Sequence, residues 1–343
     1  MKVDFPFSLE ICDCPTERER FNTNLKSAIS DELIVVCGSG ASSQLAQRLL
    51  KDLSLKPSQL LNVDLNSIEN VLDIERDLRN RECTILAIGG GKVCDFSKRL
   101  AYLTEQNLIL HPTVVSNDGL VSPIAVLSQD GKTHSLPGKM PDHVFIDMDI
   151  IRSAPQKFII AAAFDLLSNF SATADWHYAA ERGEVNMNFL AYQFSRIAAY
   201  QLLDCASWDI SSPEFLRAVI HGQILSAMAM AYAGTSRPCS GSEHLISHAM
   251  DELGIATDLL HGEKVGRASL FTLFLQGENT DKMERLFYSF KLKKTLCNEY
   301  LDDFTLLSIF SRSRSVRPGR RSVIDKYSDE ELLRMYRKFE MKL

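Results

Sequence analysis

Nothing in the 343 residues is long and apolar enough to span a bilayer. The longest apolar runs, FIIAAAF at 158–164 and AMAMAYA at 227–233, fall far short of the ~20 residues a membrane helix needs. The opening stretch MKVDFPFSLE also lacks the apolar core of a signal peptide, so the chain is expected in the cytoplasm, without membrane insertion. Positive charge is not in excess: the formal net charge is −6 and the pI about 5.8. No broad cationic face is then available to a phosphate backbone, and nucleic acid is not an expected partner. The eight cysteines, at 12, 14, 37, 83, 94, 205, 239 and 297, contain no CxxC pair. In a reducing compartment they read as small apolar residues, and Cys12 and Cys14 lack the second pair a structural metal site would need. Repeats and low-complexity linkers are absent as well. What remains is a soluble globular chain, 45% hydrophobic, long enough for two domains and better matched to small molecules than to macromolecular partners.

Up to about residue 150, short β-rich runs alternate with helical patterns. LIVVC (33–37), LLNVD (60–64), TILAIGGG (84–91), LILHPT (108–113) and HVFIDMDII (143–151) read as strands. SSQLAQRLLKDL and SIENVLDIERDL between them carry apolar residues at spacings of three and four, the pattern of a parallel sheet flanked by helices. Asp130-Gly131 within LSQDGKTHS suggests a hairpin turn. Beyond Pro155, long Ala-, Leu- and Met-rich stretches at helical spacing predict an all-helical part. The expected organisation is therefore an α/β domain over residues 1–153 and an all-α domain over 154–343, with a ligand site in the cleft between them.

Two glycine-rich turns follow strands. Gly38-Ser39-Gly40 begins like a dinucleotide fingerprint but places Ser43 where the third glycine belongs; Gly89-Gly90-Gly91-Lys92 would let backbone approach a pyrophosphate at a helix start. Asp64, at the end of the second strand, could accept from a cofactor ribose or be a solvated strand end. The loop HPTVVSNDGLVSP (111–123) sits at a strand's carboxyl end, where open α/β sheets bind ligands, although Asn117-Asp118-Gly119 is also ordinary turn chemistry. In the helical part, SGSEHLISHAMDELGIATDLLHGEKVG (240–266) gathers three of the eight histidines. His244 and His248 share a helix face, and His261 lies beyond a helix end expected at Gly254. A single histidine is more often a satisfied polar residue, but three together suit a divalent ion, which calls for a carboxylate. Asp165, directly after seven apolar residues, is the candidate.

The motifs GGGKVCDFSK, PTVVSNDGLVSP, FDLLSNFSATADW, AGTSRPCSGSEHLISHAMD and LHGEKVG resemble, in this order, those of the sn-glycerol-1-phosphate dehydrogenase family. That family lies in the iron-containing alcohol dehydrogenase and dehydroquinate synthase-like superfamily, and the similarity runs from about Leu33 through the tail. The resemblance implies a Rossmann-like N-terminal domain binding NAD or NADP along Gly91, Lys92, Val93, Cys94, Asp95, Thr113, Val114, Val115, Ser116 and Ser122, with Asp64 added from the strand-end reading. It also implies a helical domain holding one divalent metal, zinc foremost, with nickel or iron as alternatives, through Asp165, His244 and His261. His248, Asp118 and Asp165 would contact a phosphorylated polyol or ketone, His248 serving as a proton relay. The implied reaction is the reversible reduction of dihydroxyacetone phosphate, in a protein expected to be a homo-oligomer. A dehydrogenase for another alcohol or aldehyde, a dehydroquinate synthase-like cyclase and a non-catalytic scaffold are the competing readings; Asp165 at the ligand position speaks against the cyclase. The basic run Arg312, Arg314, Arg317, Arg320 and Arg321 either holds a phosphate or is a solvated surface.

Overall fold

A computed structural model of the chain describes residues 7–29, 32–115 and 120–342, with the side chain of Lys132 also left undescribed. The chain divides into two compact units, Met1–Gln156 and Lys157–Leu343.

The first unit is an α/β layer structure. In chain order it runs β1 (Ser8–Cys12), α1 (Arg18–Ser27), β2 (Leu33–Cys37), α2 (Ala41–Asp52), β3 (Gln59–Asn62), α3 (Ile68–Leu78), β4 (Thr84–Gly89), α4 (Gly91–Thr104), β5 (Asn107–Pro112), β6 (Ile124–Gln129), β7 (Lys132–Pro137), β8 (His143–Asp147) and α5 (Met148–Ser153). Six strands form one parallel sheet in the order β1-β8-β5-β4-β2-β3. Their alternating side chains divide between two core layers: Ile34, Val36, Ile85 and Ala87 pack on one face with α3 and α4 residues such as Val71 and Phe96. Leu33, Val35, Leu86 and Ile88 pack on the other with Phe21 and Leu50 from α1 and α2. Burial on both faces explains why these strands read as continuous apolar runs. β6 and β7 form the expected hairpin, with Asp130 and Gly131 at φ 51° and 74°, both positive as a type I′ turn requires.

One expectation needs correction, and one strand had not been expected. HVFIDMDII is a strand only as far as Asp147, whose side chain accepts from the Asp149 backbone N–H at 3.0 Å and caps the short helix α5. The edge strand β1 carried no alternating pattern that marked it; it pairs along β8 from Ser8 to Cys12 and turns Cys12 into the core. None of the eight cysteines forms a disulfide, and Cys14 contacts the Thr16 hydroxyl at 3.0 Å rather than a thiol partner.

His111, the first residue of the expected ligand loop, belongs to this core instead. Its ring is 1% exposed, its Nδ1 donates to the Phe145 carbonyl at 2.8 Å, and it meets Phe21 edge-on at 6.0 Å. Burial lowers its pKa to about 4 from the ordinary 6.5, with the Arg18 charge acting in the same direction. An unfolded chain takes up this proton near pH 6.5, the folded one only near pH 4. The associated stability is therefore complete above pH 6.5 and lost as pH falls toward 4, by about 3 kcal/mol. Urea unfolding at pH 7 and pH 4 is expected to show His111→Gln losing less stability than the parent by this amount; equal losses would contradict the assignment.

The second unit is all-α: α6 (Gln156–Leu167), α7 (Asn169–Glu181), α8 (Phe189–Leu203), α9 (Pro213–Ala233), α10 (Ser242–Glu252), α11 (His261–Gln276), α12 (Asp281–Ser289), α13 (Asp303–Val316) and α14 (Asp329–Glu340). Local chemistry sets the ends. Ser212 caps α9 ahead of Pro213, Gly234 closes it in the left-handed region, and Gly254 follows α10 as expected. The Met and Ala stripe of α9, including Met228, Ala229 and Met230, is internal core. Among the described residues no helix is long and apolar enough to cross a membrane.

Candidate active site

In the second unit three helices bring the candidate ligands together. Asp165 lies on α6, in a helix so apolar that the carboxylate is carried inward with its neighbours and is 5% exposed. His244 is in the first turn of α10, 7% exposed, and His261 is the first residue of α11. The Nε2 atoms of His244 and His261 stand 3.6 and 3.9 Å from Asp165 Oδ1, and one donor atom from each residue lies within 4.8 Å of the other two. Bonds of about 2.1 Å in tetrahedral geometry place ligand atoms about 3.4 Å apart, so the grouping is a slightly open cradle of the right size for a small divalent ion. The His261 side chain is 33% exposed, which leaves one side of the cradle accessible.

Electrostatics suit the same purpose. Burial pushes all three imidazoles below the ordinary range. The Arg317 and Arg320 charges add to this at His244, the His261 ring and Arg317 at His248, and the His244 ring at His261. At neutral pH these rings are uncharged and offer lone pairs. The fully buried Glu243 fixes the tautomer of His244: its Oε1 lies 2.9 Å from Nδ1, so Nδ1–H donates and Nε2 is left as the lone-pair atom facing Asp165. Glu243 is itself held by the Ser171 hydroxyl at 2.6 Å and the Gly241 backbone N–H at 2.5 Å.

His248 follows one helical turn after His244, with ring centroids 6.2 Å from His244 and 5.7 Å from His261. It stands beside the cradle, and Arg317 Nη2 donates to its Nε2 at 3.3 Å. A guanidinium only donates, so the His248 ring carries its proton on Nδ1.

In the first unit the nucleotide-binding candidates separate. β2 and β4 are neighbours from which the chain winds outward in opposite directions, β3 beyond β2 and β5 beyond β4. Such a switch point is where open α/β sheets take ligands, and here Gly38-Ser39-Gly40 and Gly89-Gly90-Gly91 follow the two strands. Val114 lies beside Gly90, where an added Cβ would come within 3.0 Å of its Cγ2, and the Thr113 N–H donates to the Gly89 carbonyl at 3.0 Å. Gly91, Lys92, Thr113 and Val114 therefore line one edge. Val93, Cys94 and Asp95 sit in the first turn of α4, but their side chains are buried: Val93 packs under Gly89, burial pushes the Cys94 thiol up to about 12, and Asp95 pairs with Lys98 at 2.9 Å. Val115 is core, and Ser122 is buried within 3.4 Å of Lys98 Nζ. What this turn presents to a ligand is backbone rather than side chain. Asp64 is exposed, two residues past the end of β3. Ser116 and Asp118 lie outside the described residues.

Comparison with known proteins bears on this arrangement. The family model for iron-containing alcohol dehydrogenases matches residues 18–155. A curated protein of Thermoplasma volcanium named glycerol-1-phosphate dehydrogenase (NAD(P)+) is 30% identical over 301 residues, covering 85% of this chain and 84% of that protein. One of the same name from Sulfolobus acidocaldarius is 32% identical over 279 residues, covering 80% and 78%. The chain belongs to the glycerol-1-phosphate dehydrogenase family. Among solved structures, a probable glycerol dehydrogenase from Sinorhizobium meliloti superposes with a TM-score of 0.76 at 18% identity over 98% of both chains, a likeness of fold. The architecture expected from sequence, an α/β part followed by an all-α part, is the one this family member forms.

Two contributors gave little sign of themselves in sequence. Glu243 is adjacent to His244, and neighbours on a helix point about 100° apart, so their hydrogen bond is visible only in three dimensions. Arg317 reaches His248 across 69 positions.

Proposed function

We propose that the chain is a divalent-metal-dependent, NAD(P)-linked sn-glycerol-1-phosphate dehydrogenase that interconverts dihydroxyacetone phosphate and sn-glycerol 1-phosphate. The observation that carries this reading is the convergence of Asp165, His244 and His261 into one ion-sized cradle in a chain whose relatives bear that name. The mixed imidazole and carboxylate donor set with an accessible side fits a catalytic cation, with zinc the first choice over nickel or iron. When bound, the cation supplies Lewis acidity toward the substrate oxygen and the nicotinamide supplies the reducing equivalents. The chain's residues do the rest. Asp165, His244 and His261 hold the cation, and Glu243 holds His244 in its ligating tautomer. His248, whose Nε2 accepts from Arg317 and whose proton is therefore on Nδ1, would donate to the substrate oxygen and recover a proton in the reverse direction. In the first unit, the backbone of Gly91 and Lys92 at the start of α4 would take the cofactor pyrophosphate, with Thr113 and Val114 beside it, and Asp64 a ribose.

The test is oxidation of NADH and of NADPH with dihydroxyacetone phosphate, beside unphosphorylated dihydroxyacetone and simple aldehydes, after loading with several divalent metals. Turnover is expected with dihydroxyacetone phosphate above the others. None with it under any metal would remove the substrate assignment.

A further inference from the structure

Helix α10, which carries His244 and His248, begins without a cap of its own. Gly241 precedes it and has no side chain to take the free backbone N–H groups of the first turn. The acceptor comes from another helix. Asp175, on α7 and 2% exposed, accepts from the Ser242 backbone N–H at 2.7 Å through Oδ2. Its Oδ1 accepts from the Val323 backbone N–H at 2.7 Å and from Gln276 Nε2 at 2.9 Å. One carboxylate thus holds the start of α10, the end of α11 and the short turn Val323–Lys326 of the tail. Ser171, one turn earlier on the same face of α7, holds Glu243 at 2.6 Å.

Gly241 is shaped for this contact. A Cβ there would lie 2.7 Å from Asp175 Oδ2 and 2.8 Å from Ala172 Cα, so a side chain able to cap α10 locally would displace the carboxylate. The arrangement is a demanding one. Burial, with the Glu243 charge adding to it, pushes the Asp175 carboxyl up to about 6, so the three donors offset only part of the cost of a charge there. What the buried carboxylate provides beyond a local cap is position. A local cap satisfies a helix end without fixing where the helix lies, whereas Asp175 ties the first turn of α10 to α7, to α11 and to the tail. His244 follows Ser242 by two residues, and a cation site needs its donors held to within about 0.5 Å.

We infer that Asp175 is a positioning residue for the cation site: by holding the Ser242 N–H it fixes the first turn of α10 with His244 Nε2 toward Asp165, and it couples that turn to the tail at Val323. This rests on the reading of Asp165, His244 and His261 as cation ligands. Asp175 touches neither the cation nor the substrate; it acts through Ser242 and through the helix that starts there.

Zinc titration of the full-length protein, read by competition with a chromogenic chelator, tests the role. In Asp175→Asn, keeping two of the three hydrogen bonds sets the amide nitrogen against the Ser242 N–H, donor facing donor. This variant is expected to bind zinc about 10- to 100-fold more weakly than the parent. Asn169→Ala is the control for lost buried hydrogen bonds alone. Asn169 is on the same helix, 1% exposed, and donates to the Ser195 carbonyl at 3.1 Å and the Ser226 hydroxyl at 2.7 Å, away from α10. Its loss should lower Tm and leave zinc affinity as in the parent. Hydrogen exchange of the parent needs no variant to fold: zinc is expected to slow the Ser242 and Val323 amides more than those of α8, because a contact that favours binding is favoured by it in turn. Parent-like zinc affinity in a folded Asp175→Asn, equal weakening in Asn169→Ala, or no added protection at Ser242 and Val323 overturns the positioning role. His244→Ala separates this from failure of the cradle. Weaker zinc binding in His244→Ala but not in Asp175→Asn removes the positioning role alone, whereas no zinc binding by the parent, or parent-like binding by His244→Ala, removes the cradle and the role with it.

Discussion

Alanine at Asp165, His244 or His261 is expected to strip the bound divalent cation and lower turnover by about 10³-fold or more, the scale of several kcal/mol that a cation contributes at a developing charge. Each residue supplies one of three donor atoms within 4.8 Å of each other, so removing any one leaves a two-point site open to water. The His244 substitution does further damage, because it takes a donor from Glu243, a fully buried carboxylate that then keeps only Ser171 and Gly241. His248→Ala separates holding the ion from using it: its ring touches no donor atom of the cradle directly, so metal content should match the parent while turnover falls. Elemental analysis of purified, folded variants beside steady-state rates decides the matter. Full occupancy in His244→Ala would overturn the ligand assignment, and loss of metal from His248→Ala would make that residue a ligand rather than a substrate contact.

The fold and the site were legible to different depths, for physical reasons. Strands buried on both faces, such as Leu33–Cys37, announce themselves as apolar β-branched runs, and Asp130-Gly131 announces a turn because both positions need positive φ. The edge strand Ser8–Cys12 has one covered neighbour and a mixed pattern, so its pairing with β8 depends on a residue contact 135 positions away that no local pattern encodes. His111 lies where a strand and a loop reading overlapped. It heads the segment expected to carry a ligand loop, yet it still belongs to the expected strand, and the parallel register of β5 turns it toward Phe21 and Phe145. At the candidate cradle, residue types and spacing pointed to His244, His248 and His261 together with Asp165, because a carboxylate after seven apolar residues has few ways to be buried, and only the family resemblance singled out His244 and His261 as the ligands. The arginines were ambiguous in sequence, since five basic residues in ten positions look alike. Only the helix ends and the α9–α10 connection determine which of them turn inward.

Gly262→Ala is expected to cost about 3 kcal/mol or more and to weaken cation binding at the same time. A Cβ at this position would lie 2.0 Å from the Ala161 carbonyl oxygen and 2.7 Å from its carbon, and at Gly266, one turn later, 2.5 Å from Phe164 Cβ. Both glycines of HGEKVG therefore let α11 approach α6 at backbone distance. Backbone cannot swing away as a flexible side chain can, so one helix must shift against the other, at the upper end of the cost of overpacking. The same contact positions the site: Gly262 follows His261 directly, and its added Cβ would also fall 3.1 Å from Asp165 Cβ. A shift that relieves the clash moves two of the three donors apart. Gly277→Ala is the control for a different reason to be glycine. It has φ 76° and nothing within 4 Å of an added Cβ, so it should cost about 1 kcal/mol and leave the cradle intact. Thermal unfolding with and without added cation distinguishes them: Gly262→Ala should lower Tm by about 5 °C or more and lose most of the cation-dependent stabilisation, whereas Gly277→Ala keeps it. A Gly262→Ala protein with the parent's Tm and cation response would show that the two helices do not meet at backbone distance.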